Sequence, residues 1–219
     1  FWIAQAIDAK KIIVAVPSIA LVRQFIDEWQ KEIVSLNLDY HFTIVCSDKT
    51  TANRSDSNDE YSSSTSDLGL KVTTNLNELT SILKQKQNQI IVTTYQSGQV
   101  ISKASKLANI SFDIGIFDEA HKTVGRKNRL YSHMLLDENI EIINRLYMTA
   151  TERYFLGNSD EVISMDNVDL YGETAANLTY KQALDLPSKE SPICDYQIST
   201  INIASQEIKE LWESNKYLS

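Results

Sequence analysis

The stretch FDEAHKTVG, positions 117 to 125, sets Asp118, Glu119 and His121 directly behind the apolar run Ile114-Gly115-Ile116-Phe117. Open α/β sheets bind ligands outside the carboxyl ends of their strands, and two adjacent carboxylates there suit a nucleotide with its magnesium ion. In that chemistry Asp118 holds Mg2+, largely through water, and Glu119 orients or deprotonates the attacking water. His121 sits just behind them. A plain strand-to-helix junction also favours Asp and Glu, because they complement the positive end of a helix.

The acids need elements to position them. Ile12 to Val16 is a β-branched run of the kind found in a strand covered on both faces, and Pro17-Ser18 stops it. Ser18 is placed to cap a helix over Ile19 to Val34, whose stripe of Leu21, Val22, Phe25, Ile26, Trp29 and Ile33 would be buried. Similar reasoning predicts strands at Phe42 to Cys46, Gln89 to Thr94, Phe112 to Phe117 and Arg145 to Thr149. Helices are predicted at Phe1 to Ala9, Leu76 to Leu83 with Asn75 as cap, Gly98 to Leu107 and Leu130 to Leu136. Such alternation implies a mostly parallel sheet with helices on both faces, a three-layer α/β domain. Residues 47–69 are dominated by Ser, Thr, Asn and Asp, with almost no apolar residues, the composition of a mobile surface insertion.

Composition narrows the function classes. The chain has 219 residues and a net charge of -8, so any hold on nucleic acid must come from local patches rather than bulk charge. Cys46 and Cys194 are far apart and lack metal-ligand spacing, which suits buried thiols in a reducing compartment. No stretch is long and apolar enough to span a bilayer, so a soluble, cytoplasmic protein without membrane partners is expected.

Three further stretches follow strand ends. Met148-Thr149-Ala150-Thr151 carries hydroxyls that could bond to the acidic group next door, although threonine is also simply a good strand residue. Ser18 with Arg23 and Gln24, and Thr93 with Thr94, bring hydroxyls and backbone N–H groups to helix starts, where an acidic protein can still grip phosphates. Lys122, Arg126, Lys127 and Arg129 form a basic group, more simply read as solvated loop charge. Tyr95 and Tyr131 could stack on bases, yet core packing is the commoner use of such residues.

In their order along the chain, PSIALVRQ, TTYQS, FDEAH and MTAT resemble motifs Ia, Ic, II and III of the first motor domain of superfamily 2 helicases and translocases. VCSD at 45, YMTATERYF at 147, SMDNVDLYG at 164 and CDYQI at 194 are similar to the DEAH-box helicases of restriction-type and phage or plasmid systems. The resemblance implies a RecA-like domain that uses ATP and Mg2+ and moves on nucleic acid, with double-stranded DNA as the expected track. It implies catalytic roles for Asp118, Glu119 and His121, with Asp118 as the magnesium ligand. Thr149 and Thr151 would couple nucleotide to track, and Ser18, Arg23, Gln24, Thr93 and Thr94 would touch it. The implied partner in cis is a second motor domain, with residues 1–187 as the first domain and 188–219 as the junction and the start of the second.

One departure bears on activity. Relatives hold the β- and γ-phosphates with a glycine-rich loop ending in Gly-Lys-Ser/Thr. Here the first glycine is Gly69, and none of the six glycines is followed by lysine. The expectation is a chain that begins just after that loop, and the rival is a non-catalytic helicase-like module, binding DNA or protein, that has lost it. Glu152 stands where relatives often have proline.

Overall fold

The computed structural model describes residues 1–46, 72–126, 130–155, 162–187 and 193. The chain divides into two compact units, Phe1–Glu173 and Thr174–Ser219. The expected insertion at 47–69, Lys127, Arg129, Cys194 and the segment expected to enter a second domain lie outside the described residues.

The first unit is built on five parallel strands: β1 (Lys11–Val16), β2 (His41–Val45), β3 (Gln89–Thr94), β4 (Phe112–Phe117) and β6 (Ile142–Tyr147), in the order β2-β3-β1-β4-β6. Alternation of side chains along each strand divides the core in two. Ile12, Val14 and Val16 face α2 (Ile19–Ser35), which buries Val22, Ile26, Trp29 and Ile33 against them, together with α1 (Trp2–Ala6). Ile13 and Ala15 face the opposite layer, formed by α3 (Leu76–Leu83), α4 (Gly98–Ala108) and a 3-10 segment at Leu130–Leu135. This is the expected mostly parallel, three-layer RecA-like arrangement.

Gly115 is required by packing. A Cβ there would lie 2.9 Å from Phe117 Cε2 and 3.1 Å from Ile142 Cγ2, so the absent side chain lets β6 close onto β4.

Several local expectations change. The last core strand starts at Ile142 rather than Arg145 and ends at Tyr147, which puts Met148 to Thr151 in a loop rather than a strand end. Ile142 lies opposite Phe112 inside the core, while Ile143 and Asn144 are exposed on the sheet's edge, so the strand lacks the apolar run that marks its neighbours. Ser18 is the N-cap of α2, but its side chain makes no capping hydrogen bond. Asn75 does cap α3, accepting from the Asn77 and Glu78 amides. A short antiparallel pair, β5 (Gly125–Arg126) with β7 (Val162–Ile163), and a short helix α5 (Val168–Tyr171) capped by Asn167 were not expected.

In the second unit α6 (Tyr180–Asp185) starts with a full capping box: the Thr179 hydroxyl accepts from the Gln182 amide, and the Gln182 side chain accepts from the Thr179 amide. Among the described residues no helix is long and apolar enough to cross a membrane.

Candidate functional site

Parallel pairing brings the chemical residues to one edge. Val16 is in register with Thr94, Ala15 with Phe117, and Phe117 with Tyr147, so all four motif stretches leave the sheet on the same side. From β1 the chain passes to β2 on one side, and from β4 to β6 on the other. The crevice between the ends of β1 and β4 is therefore the topological switch point, where sheets of this class bind ligands.

Backbone bonds carry that alignment beyond the strands. The Asp118 amide donates to Ala15 O at 2.9 Å, the Met148 amide to Phe117 O at 2.9 Å, and the Ala120 amide to Met148 O at 2.9 Å. Between them Glu119 takes a left-handed conformation, φ 49° and ψ 46°. The other described non-glycine residues with positive φ are Asp8, Asn37 and Asn109, types that tolerate it. For glutamate the conformation costs about 1–2 kcal/mol, which the surrounding hydrogen bonds must offset.

The side chains then connect. His121 Nδ1 lies 3.1 Å from Glu119 Oε2, 2.9 Å from Thr149 Oγ1 and 3.5 Å from Thr151 Oγ1. The Thr149 hydroxyl donates its one proton to Thr151 O at 2.9 Å, so toward the imidazole it accepts. Hydrogen bonding thereby assigns the proton to Nδ1. Burial lowers the His121 pKa; Glu119 opposes that shift, and Arg153 and Lys122 add to it, so the ring is neutral near pH 7. For Asp118, burial raises the pKa; the Glu119 amide opposes the rise, the Glu119 charge adds to it, and Lys122 again opposes.

A half-buried carboxylate held above its usual range gains from a nearby cation, and Asp118 has no ion-pair partner among the described residues. No group of three or more metal-ligating side chains occurs among them either. That donor set fits Mg2+, which is commonly held by one or two carboxylates with water and phosphate oxygens, and it does not suit a protein-only metal cage.

The remaining candidates are placed differently. Ser18 is half-buried at the start of α2; Arg23 and Gln24 are exposed on that helix, with Arg23 Nε 3.0 Å from Asp27 Oδ2. Thr93 and Thr94 are buried. The Thr93 hydroxyl donates to Val45 O at 2.7 Å, and the Thr94 hydroxyl lies 3.5 Å from Ser97 Oγ, so both serve the loop's interior. Lys122 and Arg126 are exposed.

Tyr95 and Tyr131 belong to a row of rings beneath the site. Their centroids are 5.3 Å apart, Tyr95 and Phe117 are 6.5 Å apart, Phe117 and Tyr147 5.2 Å, and Tyr147 and Tyr171 4.9 Å. Sequence reasoning did not reach Tyr171 as a neighbour of the acids. The local signals were the stretch SMDNVDLYG and the Asn167 cap that starts its helix, and neither says what Tyr171 touches.

Residues 2–153 match the family model described as "Type III restriction enzyme, res subunit". No curated protein matches the chain in sequence. Two solved structures are similar at 26% identity over 79% of this chain. One is a nuclease-deletion mutant of the type ISP restriction-modification enzyme LlaGI in complex with a DNA substrate mimic, with a TM-score of 0.58. The other is the ATP-dependent type ISP restriction-modification enzyme LlaBIII bound to DNA, with a TM-score of 0.59. The chain spans 13% and 12% of those proteins' lengths.

Proposed function

The chain belongs to the family of type III restriction enzyme res subunits, and from that premise we propose that it is the first motor domain of an ATP-dependent DNA translocase acting in a restriction system. The observation that carries the reading is the contact of His121 with both Glu119 and Thr149, which ties the acidic loop after β4 to the hydroxyl loop after β6 at the switch point. A helicase-type motor needs such a tie, because phosphate chemistry at one loop must alter the track-facing loops. The DNA substrate mimic in one similar structure and the DNA in the other support DNA, double-stranded in this reading, as the track.

Asp118 would hold Mg2+, which when bound neutralises charge on phosphate oxygens. Glu119 orients or deprotonates the attacking water. His121, neutral and donating from Nδ1, holds the Glu119 carboxylate and reports its position to Thr149 and Thr151. Ser18, Arg23 and Gln24 are the track contacts in this proposal. Thr93 and Thr94 support the loop from within. A second motor domain in cis would complete the machine.

The second reading is a helicase-like binding module without turnover. Phosphate release and triplex displacement, measured on a longer form carrying a phosphate loop, separate the two. DNA-stimulated turnover that Glu119→Gln abolishes supports the motor. DNA binding with no turnover in that longer form supports the module.

A further inference from the structure

The loop that carries the acids is pinned at two places by tyrosine hydroxyls from outside it. The Tyr95 hydroxyl donates to Asp118 O at 2.7 Å, although Tyr95 belongs to the segment after β3. On the other flank the Thr123 hydroxyl donates to Ala120 O at 2.6 Å and lies 2.6 Å from the Tyr171 hydroxyl. Because the Thr123 proton is spent on Ala120, Tyr171 must be the donor to Thr123. A relay runs from α5 through Thr123 to the Ala120 carbonyl, in the peptide that joins Ala120 to His121.

These bonds complete the accounting for a strained residue. The Asp118 carbonyl, in the peptide that enters Glu119, is held directly by Tyr95, and the Ala120 carbonyl, one peptide beyond Glu119's own, is held through Thr123. The Glu119 carbonyl itself accepts from the Lys122 amide at 2.9 Å, and the Ala120 amide donates to Met148 O. A left-handed glutamate persists only where its surroundings over-determine it. Tyr147 supplies a contrast within the same row of rings: its hydroxyl is buried with no hydrogen-bond partner among the described residues.

We propose that Tyr95 and Tyr171 are positioning residues for Glu119, Tyr95 holding the peptide that enters it and Tyr171, through Thr123, the Ala120–His121 peptide of the turn that follows, so that its backbone stays left-handed and its carboxylate stays at His121. This rests on the proposed role of Glu119 for its consequence in turnover, but not for its structural content.

The test compares Tyr95→Phe, Tyr171→Phe and Tyr147→Phe, which all keep the ring and remove one hydroxyl. In the 219-residue chain, hydrogen exchange at the Ala120 and Lys122 amides should quicken by roughly tenfold in the first two variants and stay unchanged in the third, with β1 amides unaffected in all. Equal acceleration in β1 would mean general destabilisation and would overturn the proposal, as would unchanged exchange at Ala120 and Lys122. In a longer form that turns over ATP, Tyr95→Phe and Tyr171→Phe should lower kcat several-fold with KM for ATP unchanged, and Tyr147→Phe should lower neither. Unchanged kcat in both variants, beside an inactive Glu119→Gln, would sink the positioning role and leave the motor reading standing. Full turnover in Glu119→Gln would sink the motor reading, and the exchange experiment would then decide the inference alone.

Discussion

His121 Nδ1 and Thr149 Oγ1 lie 2.9 Å apart, joining loops that leave β4 and β6 and are separated by 28 positions in the chain. Thr149→Val removes the acceptor and leaves the imidazole with Glu119. The expected outcome in a longer, active form is basal ATP turnover within about threefold of the parent and DNA stimulation reduced by about tenfold, in line with one hydrogen bond of ~1 kcal/mol. Paired phosphate-release assays with and without DNA check it. Equal loss in both would mean that Thr149 serves folding or chemistry rather than coupling.

Glu119→Gln and Asp118→Asn should fail in different ways. Glutamine keeps the size of the side chain and loses only the base, so nucleotide binding persists while turnover falls by about 10²-fold or more. Asparagine at 118 should weaken magnesium-dependent nucleotide binding itself. Titration of a fluorescent nucleotide with and without Mg2+ distinguishes them, and identical binding and turnover in either variant and the parent would refute the assigned roles.

The 219-residue chain by itself should fold and release no phosphate from ATP above background. Its five parallel strands bury a continuous core, and the acids sit at the rim of that core rather than within it. Two carboxylates without a lysine-bearing phosphate cradle cannot align a γ-phosphoryl group. Circular dichroism with a cooperative melt, beside a phosphate-release assay, is the measurement. Turnover that vanishes in Glu119→Gln would contradict it.

Acid should destabilise the fold as pH drops through the histidine range. Burial lowers the pKa of both His121 and His133. The unfolded chain therefore takes up protons at these positions near the ordinary value of about 6.5, before the folded chain does. Stability from the two neutral rings is complete above that value and declines as pH falls toward their folded pKa values. Asp118 works in the opposite sense: burial raises its pKa, so the cost of its ionised form begins to decline as pH falls through the folded value and is gone below the unfolded one. The expected result is a Tm lower at about pH 5.5 than at about pH 7.5, with a shallower decline in His133→Gln. A Tm that rises over that interval would show that the histidines are not the controlling groups.

Strand and helix were legible along most of the first unit because both faces of its sheet are covered, so β1, β3 and β4 carry the apolar runs Ile12 to Val16, Ile90 to Val92 and Ile114 to Phe117, and α2 a single stripe. The edge strand β6 was misplaced at its start for the same reason in reverse. With one neighbour it exposes Ile143 and Asn144, and its pattern fades. The acids, the histidine and the two threonines were likewise visible from their places behind strands, since in a parallel sheet a strand's carboxyl end is where the ligand side must be. What the sequence could not supply was who touches whom. Neither the burial of Thr93 and Thr94, nor the left-handed backbone of Glu119, nor the reach of Tyr171 onto Thr123 follows from local pattern. Each depends on segments far apart in the chain meeting at one edge, and hydrogen bonds between such segments leave no periodic trace in the residues that make them.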